Sequence, residues 1–489
     1  MTVTADLIAS LVQKQYDELP AKRKPVVRDN GLYEWVPLSG IVAQGRDNKL
    51  KCVSLATGMK CLPSAKLSEA NGNVLHDWHA EILAIRAFNR FVLDECKALA
   101  QGTATTSDFL RFRTREEMSM GRSQSESDSG GSGDWHGQPF TWREDVLLHM
   151  YCSEAPCGDA SMELTMAAQE DATPWAVVPD PNLTLSSALL PGRAYFSELG
   201  IVRRKPSRGD APTTLSKSCS DKLALKQCTS LLCSLASLLV SPEHAYISTL
   251  VLPGSQFAAE GCRRAFSAEG RMRSCTVGRG SSSNGWPGGY SFRPFAVETT
   301  TEEFVFSKRQ VTTAAAAGHT RTETKIPSSP APVRITSSNL AVAWTTTHTS
   351  SDTGTVPAIT AAGQEESTLS GVLQGRRQTD VRGASFASRR RLWALAVEVV
   401  ELLRSGPATI EIPRGGFVPL LDEKKKQKVD EVEKKEEENW EEGPMTYGAV
   451  KDSAALGARR LVKEEVRREA LRGWVRNAGD ENFTLEDSI

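Results

Sequence analysis

Residues 75–91 read LHDWHAEILAIRAFNRF, and within them His79 and Glu81 stand two residues apart at the start of an amphipathic helical pattern. A neutral imidazole can hold a metal ion, while a neighbouring carboxylate moves protons to and from water that the metal activates. Two thiols downstream offer further ligands, Cys157 in Ala155-Pro156-Cys157-Gly158 and Cys219 in Ser218-Cys219-Ser220-Asp221-Lys222. A catalytic zinc takes three protein ligands and keeps its fourth position for water, and His79, Cys157 and Cys219 supply that number. Glu81 is then left to carry protons. Cys152 competes as a ligand, but it falls in an apolar run of strand length, and its side chain need not face the same way. By itself H-x-E is a weak pattern, and the two cysteine motifs give it weight. Each of the three candidates precedes or opens a predicted helix. The first turn of a helix carries about half a positive charge, which favours thiolate, the form that binds metal.

The elements that must position these groups are legible in outline. Leu7, Ile8, Leu11, Val12 and Leu19 follow helical spacing near the N-terminus. The run Val146–Cys152 reads as a strand that ends at a turn containing Pro156. The stretch from Gly158 to Leu164 reads as a helix start. Residues 220–240 read as one helix, with Leu223, Leu231, Leu235, Leu238 and Leu239 on its apolar side and Ser220 or Asp221 as its cap. Ala245–Leu252 reads as another strand, and 386–404 and 448–472 as late helices. Strands interleaved with helices predict an α/β fold, a mixed sheet covered by helices. Polar or biased stretches at 114–140, 276–290, 308–332, 345–380 and 422–442 read as insertions in a single domain spanning 1–489, with its core over about 30–485.

Of the 489 residues, 39% are hydrophobic and 24% charged, the ordinary balance of a soluble globular chain. No stretch approaches the roughly 20 apolar residues of a membrane span, and the first residues do not read as a secretory signal. The expected compartment is therefore the cytoplasm or nucleus, and the ten cysteines are expected as thiols or metal ligands. The net charge of −1 conceals an uneven distribution, since the run 422–442 alone holds ten acids and six bases. Basic clusters at Arg203-Arg204-Lys205, Arg263-Arg264 and Arg389-Arg390-Arg391 keep a phosphate-bearing partner in view.

Taken together, SLATGMKCL (54–62), LHDWHAEI (75–82), SEAPCGDASMEL (153–164), RRKPSRGDAPTTLSKSCSDK (203–222), NLAVAW (339–344), ASFASRRRL (384–392), TYGAVK (446–451) and LRGWV (471–475) resemble the adenosine deaminases that act on RNA. The pieces run in family order over nearly the whole chain, and they are most similar to the branch specific for tRNA. The resemblance implies a cytidine-deaminase-like core. The P-C-x-x-C spacing of cytidine deaminases themselves is absent, because Ala160 stands three after Cys157. The implied activity is zinc-dependent hydrolysis of adenosine to inosine in tRNA, at the adenosine just 3′ of the anticodon of alanine tRNA. Such a base lies in a loop and costs less to present than one in a duplex.

The resemblance also implies a buried inositol hexakisphosphate, held by Arg86, Lys222, Arg389, Tyr447, Lys451 and Trp474, with a further base among Arg459, Arg460 and Lys463. Asp77 and Lys205 match residues that join that pocket to the zinc, and Lys60 matches an RNA contact. The chain departs from the family at Ile85, Leu225 and Asn477, where relatives carry basic residues. The absence of a separate double-stranded-RNA-binding domain ahead of the match favours tRNA. The alternatives left open are an editor of other structured RNA and a non-catalytic, zinc-containing RNA-binding protein.

Overall fold

The computed structural model describes residues 3–104, 106–118, 137–169, 173, 190–191, 195–205, 211–277, 286–322, 334–347, 363–405 and 445–486. The elements that matter here are α1 (Ala5–Asp17), β1 (Leu38–Gln44), β2 (Leu50–Thr57), α2 (Ala80–Gln101), β3 (Leu147–Cys152), α3 (Cys219–Thr229), β4 (Ile247–Pro253), α4 (Ala259–Phe266), β5 (Ala296–Thr300), β6 (Leu340–Thr346), β7 (Gly363–Leu369), β8 (Val372–Leu373), α5 (Arg389–Ser405), α6 (Tyr447–Asp452) and α7 (Gly457–Glu469). An eight-stranded sheet runs β5-β4-β3-β1-β2-β6-β7-β8. Its β5–β4–β3 side is parallel and the rest antiparallel. This is the mixed, helix-covered sheet that the sequence predicts.

Strand alternation divides the apolar residues between two faces. Ile41 and Ala43 of β1, with Leu148 and Met150 of β3, join Phe88, Phe91 and Trp142 in the larger core beneath α2. Leu38 and Val42, with Tyr151 of β3, face α1 on the other side, against Ile8, Val12 and Tyr16. Ile8 and Val12 are fully buried, each worth about 1.5–3 kcal/mol. The helix lies so close to the sheet that a Cβ at Gly40 would come within 2.5 Å of a Val12 methyl carbon.

The structure corrects several of the sequence-based expectations. Leu7 of α1 is exposed, and Ala5, Ala9 and Tyr16 take the inward positions instead. The expected helix over 220–240 ends at Thr229, where Ser230 adopts φ +56°. The Lys226 ammonium and the Asn89 side chain bond the carbonyls of Leu231 and Leu232 that a continued helix would have used internally. A four-residue helix, Ala236–Leu239, follows, and leucine spacing could not register the break. The cap of α3 is Ser218, not Ser220 or Asp221. The stretches 308–332 and 345–380 contain regular elements: Lys308–Thr322 is helical, and β7 and β8 extend the main sheet. The Thr- and Ala-rich sequence of the helix and the run of polar residues Gln364–Thr368 in β7 hid both from a compositional reading. The charged run 422–442, and most of the expected insertion 114–140, lie outside the described residues.

Candidate active site

His79 is the N-cap of α2, with extended backbone, so its side chain stands at the mouth of the helix. The preceding loop is locked to the segment after β2: Trp78 N–H donates to the Lys60 carbonyl (3.0 Å) and Ala80 N–H to that of Gly58 (2.8 Å). Gly58 sits at φ +137°, and a Cβ there would fall 2.2 Å from the Trp78 carbonyl oxygen. Asp77 Oδ1 accepts from His79 N–H (3.0 Å) and lies 2.9 Å from His79 Nδ1. Glu81, in the first turn, is buried. Burial first, and then the Cys157 sulfur, raise its carboxyl pKa, which suits a group that must both take and return a proton.

The two cysteine loops are stitched to each other. Cys219 is the first residue of α3, and its N–H donates to Cys157 Sγ at 3.3 Å. Ser220 N–H donates to the Cys157 carbonyl (3.0 Å), and Ser220 Oγ both donates to the Pro156 carbonyl (2.9 Å) and accepts from Ala160 N–H (3.1 Å). Gly158 is required at the crossing, since it has φ +107° and a Cβ would lie 2.2 Å from Ser218 Oγ. The Cys219 thiol donates to Cys157, which holds Cys157 well below the usual thiol range despite its burial; Lys205 and His79 add to the attraction. Burial and the Cys157 charge push Cys219 the other way. Cys152 is buried in β3, and burial, with Glu81 nearby, holds its thiol well above the ordinary value. It has the character of a core thiol rather than a ligand.

Lys205 joins this group to the rest of the site. Its buried ammonium donates to Cys219 Sγ (3.1 Å) and to Asp77 Oδ2 (2.9 Å). Ser216 Oγ (2.8 Å) and the Lys222 ammonium bond the same carboxylate oxygen. Cys61, which sequence reasoning missed, lies 3.7 Å from His79 Nδ1. Among the described residues, Cys61, Asp77 and His79 are the three metal-binding groups whose donor atoms all fall within 4.8 Å of one another; His79, Cys157 and Cys219 are not drawn together as tightly. Two ammonium groups already neutralise Asp77, so it is better suited to orienting His79 than to ligating a cation. The set whose chemistry fits a catalytic zinc is His79 with Cys157 and Cys219: an imidazole and two neighbouring thiols beside a buried carboxylate. Lys60 lies on the adjoining loop and donates to the Asn339 side chain.

Beyond Lys222 opens a cavity of about 610 Å³. Eight basic residues line it, Lys217, Lys222, Lys451, Arg459, Arg460, Lys463, Arg467 and Arg476, against the acids Asp452, Glu464 and Glu481. These cations depress one another. Burial, then Lys222 and Arg467, bring Lys217 down to about 7. Burial and Arg476 bring Arg467 down to about 10, and burial with Arg459 and Arg467 holds Lys463 well below the usual lysine range. An excess of positive charge at this density suits a polyanion.

Of the six residues matched to an inositol phosphate, Lys222, Lys451 and Trp474 line this cavity; Arg86, Arg389 and Tyr447 do not. Arg389 is engaged by the Asp480 carboxylate (3.0 Å), and Arg86 Nε by the Ala387 carbonyl (2.6 Å). The Arg389 guanidinium sits 5.7 Å from the Tyr447 ring centre. Ile85 and Leu225 are core residues, and Asn477 lines the cavity. Lys217, Arg467 and Arg476 are additions that the sequence reading did not name. Lys217 stands one residue before Ser218 in the SKSCSDK motif, the one local hint available.

A helix-opening H-A-E beside two apposed cysteines, on a mixed α/β sheet, defines a hydrolytic deaminase. Residues 54–282 match the adenosine-deaminase (editase) domain family. The chain is 41% identical over 306 residues to tRNA-specific adenosine deaminase 1 of Schizosaccharomyces pombe, covering 62% of this chain and 70% of that protein. It is 34% identical over 236 residues to the Saccharomyces cerevisiae protein of the same name, covering 46% of this chain and 52% of that one. It is 28% identical over 261 residues to the double-stranded RNA-specific editase Adar of Drosophila melanogaster, covering 51% and 33%. The chain belongs to the adenosine-deaminase (editase) family, within the group of tRNA-specific adenosine deaminases.

Proposed function

We propose that this chain, as a single editing domain, hydrolyses adenosine to inosine in tRNA, and that its target is the adenosine immediately 3′ of the anticodon of alanine tRNA. The observation that carries the reading is the buried Glu81 set beside His79 and the Cys157–Cys219 pair. The names of the yeast relatives support tRNA as the substrate class.

His79, Cys157 and Cys219 would hold the zinc, which when bound supplies a Lewis acid that makes water nucleophilic near neutral pH. Glu81 takes a proton from the attacking water and delivers it to the adenine N1. It then takes the second proton of that water and passes it to the departing amino group. Adenosine and water thus become inosine and ammonia, and Glu81 ends in its starting state. Asp77 holds the His79 ring in one orientation, and Lys205 neutralises charge at Cys219 and Asp77. The cationic cavity would hold inositol hexakisphosphate through Lys222, Lys451 and Trp474 together with Lys217, Arg459 and Lys463. Among the described residues no helix is long and apolar enough to cross a membrane, and all ten cysteines are free. Both fit work in the cytoplasm or nucleus. Lys60 would meet the RNA backbone.

Incubation with unmodified alanine tRNA, a different tRNA and a long RNA duplex tests the substrate. Inosine is expected in the first alone, at the base after the anticodon. Equal editing of the duplex would overturn the tRNA assignment, and an inositol phosphate missing from the denatured protein by mass spectrometry would overturn the cofactor.

A further inference from the structure

Each of the two cysteines is followed, two residues on, by an aspartate: Cys157-Gly158-Asp159 and Cys219-Ser220-Asp221. Both aspartates are fully buried. Asp159 accepts from Gly200 N–H (2.7 Å), and both its oxygens lie 3.1 Å from Arg264 Nε. The same guanidinium reaches Glu163 Oε1 through Nη1 (2.5 Å) and the Asp159 carbonyl through Nη2 (2.8 Å). Asp221 Oδ2 accepts from Ser218 Oγ (2.6 Å) and Arg203 N–H (2.9 Å), while Oδ1 accepts from Arg271 Nη1 (2.6 Å). Arg271 Nε is tied in turn to the Ala265 carbonyl (3.0 Å).

The two arginines lie seven residues apart on one stretch of chain. Arg264 is in α4, and Arg271 opens the next short helical turn, Arg271–Arg273. Gly270 makes the link tight, since a Cβ there would stand 2.3 Å from the Arg264 carbonyl oxygen. The stretch therefore grips both cysteine loops at equivalent points, each through a carboxylate two residues beyond a sulfur. Loops that come from opposite ends of a long sequence separation gain a common reference in this way.

We propose that Arg264 and Arg271 are positioning residues that set the spacing of the Cys157 and Cys219 sulfurs. The proposal rests on the reading of those sulfurs as zinc ligands. Arg264 spans two carboxylates with a planar fork, which lysine cannot reproduce; Arg271 meets its aspartate through one nitrogen, which lysine can approximate.

The test uses the full chain loaded with cobalt(II) and, separately, with zinc. Wild type is expected to show sulfur-to-cobalt charge-transfer bands. Arg264→Lys and Arg271→Gln are expected to shift and weaken those bands and to release zinc to a chelator about 10–100 times faster, with kcat lowered and KM for tRNA unchanged. Arg271→Lys is expected to stay near wild type, and if Arg271→Gln fails to fold, the two lysine variants carry the comparison. Folded variants with wild-type bands and wild-type zinc release would overturn the positioning role alone. A wild-type protein without the bands would overturn the metal reading, and the positioning role with it.

Discussion

Glu81 is the residue on which the chemistry turns. Glu81→Gln keeps the volume and removes the titratable proton, so it should retain zinc and lose about 10²–10⁴ in kcat; metal analysis beside an inosine assay checks both halves. Near-normal turnover would remove Glu81 from the reaction. Cys219→Ala should lose the metal as well as the activity, and full metal retention would break the ligand assignment. Lys205→Met tests the link between the two halves of the site. It strips the buried Asp77 and Cys219 of a shared cation, and because Lys222 still pairs with Asp77 the loss in denaturant titration should fall below the roughly 3–5 kcal/mol of a fully broken buried pair. His79, Glu81, Cys157 and Cys219 stood out in the sequence because metal chemistry needs particular atoms, and the structure brings the Cys157 and Cys219 loops together. Asp77 and Lys205 came from family resemblance. Cys61 was invisible because its proximity to His79 depends on the loop Gly58–Lys60 folding back onto the start of α2.

At the scale of elements, the crossing of the two cysteine loops is the least forgiving point. Ala at Gly158 would be strained by the positive φ and would strike Ser218. Gly158→Ala should cost at least about 2–3 kcal/mol of stability and accelerate metal loss; a melting curve equal to wild type would contradict the close approach. The packing of α1 makes the opposite kind of prediction. Tyr16 is buried against Phe304, with ring centres 5.1 Å apart, and its hydroxyl has no hydrogen-bond partner among the described residues. Tyr16→Phe should therefore leave stability unchanged or raise it by about 1 kcal/mol, whereas a loss above that would reveal a partner for the hydroxyl. Strands β3 and β4 and helix α5 were readable from apolar periodicity. The end of α3 at Ser230 was not, because a side chain on α2 and a lysine within α3 satisfy the carbonyls there, and neither leaves a mark on leucine spacing. β7 was missed for a related reason, since its consecutive polar residues pair with an already buried strand.

The whole molecule combines a net charge of −1 with one strongly cationic cavity, and that imbalance has a pH signature. Lys217 has a folded-state pKa of about 7, against the usual 10.5. Without a polyanion, the cost of that buried ammonium is fully present below pH 7, where folded and unfolded chains are both protonated. It fades as pH rises from about 7 towards 10.5, so the stability of stripped protein should climb over that window. Inositol hexakisphosphate should restore the charge, so binding above pH 7 should take up protons; calorimetry in buffers of different ionisation enthalpy measures the uptake. Binding without proton uptake would place the ligand away from Lys217. The sequence could not reveal this concentration of charge, because its members come from two stretches more than 200 residues apart, 217–222 and 451–476, and the net charge of the chain is −1. The central claim is most directly tested by incubating zinc-loaded wild type and zinc-loaded Glu81→Gln with unmodified alanine tRNA and sequencing the product. Inosine should appear 3′ of the anticodon with wild type and be reduced at least a hundredfold with the variant; no inosine with wild type, or equal inosine with both, would contradict it.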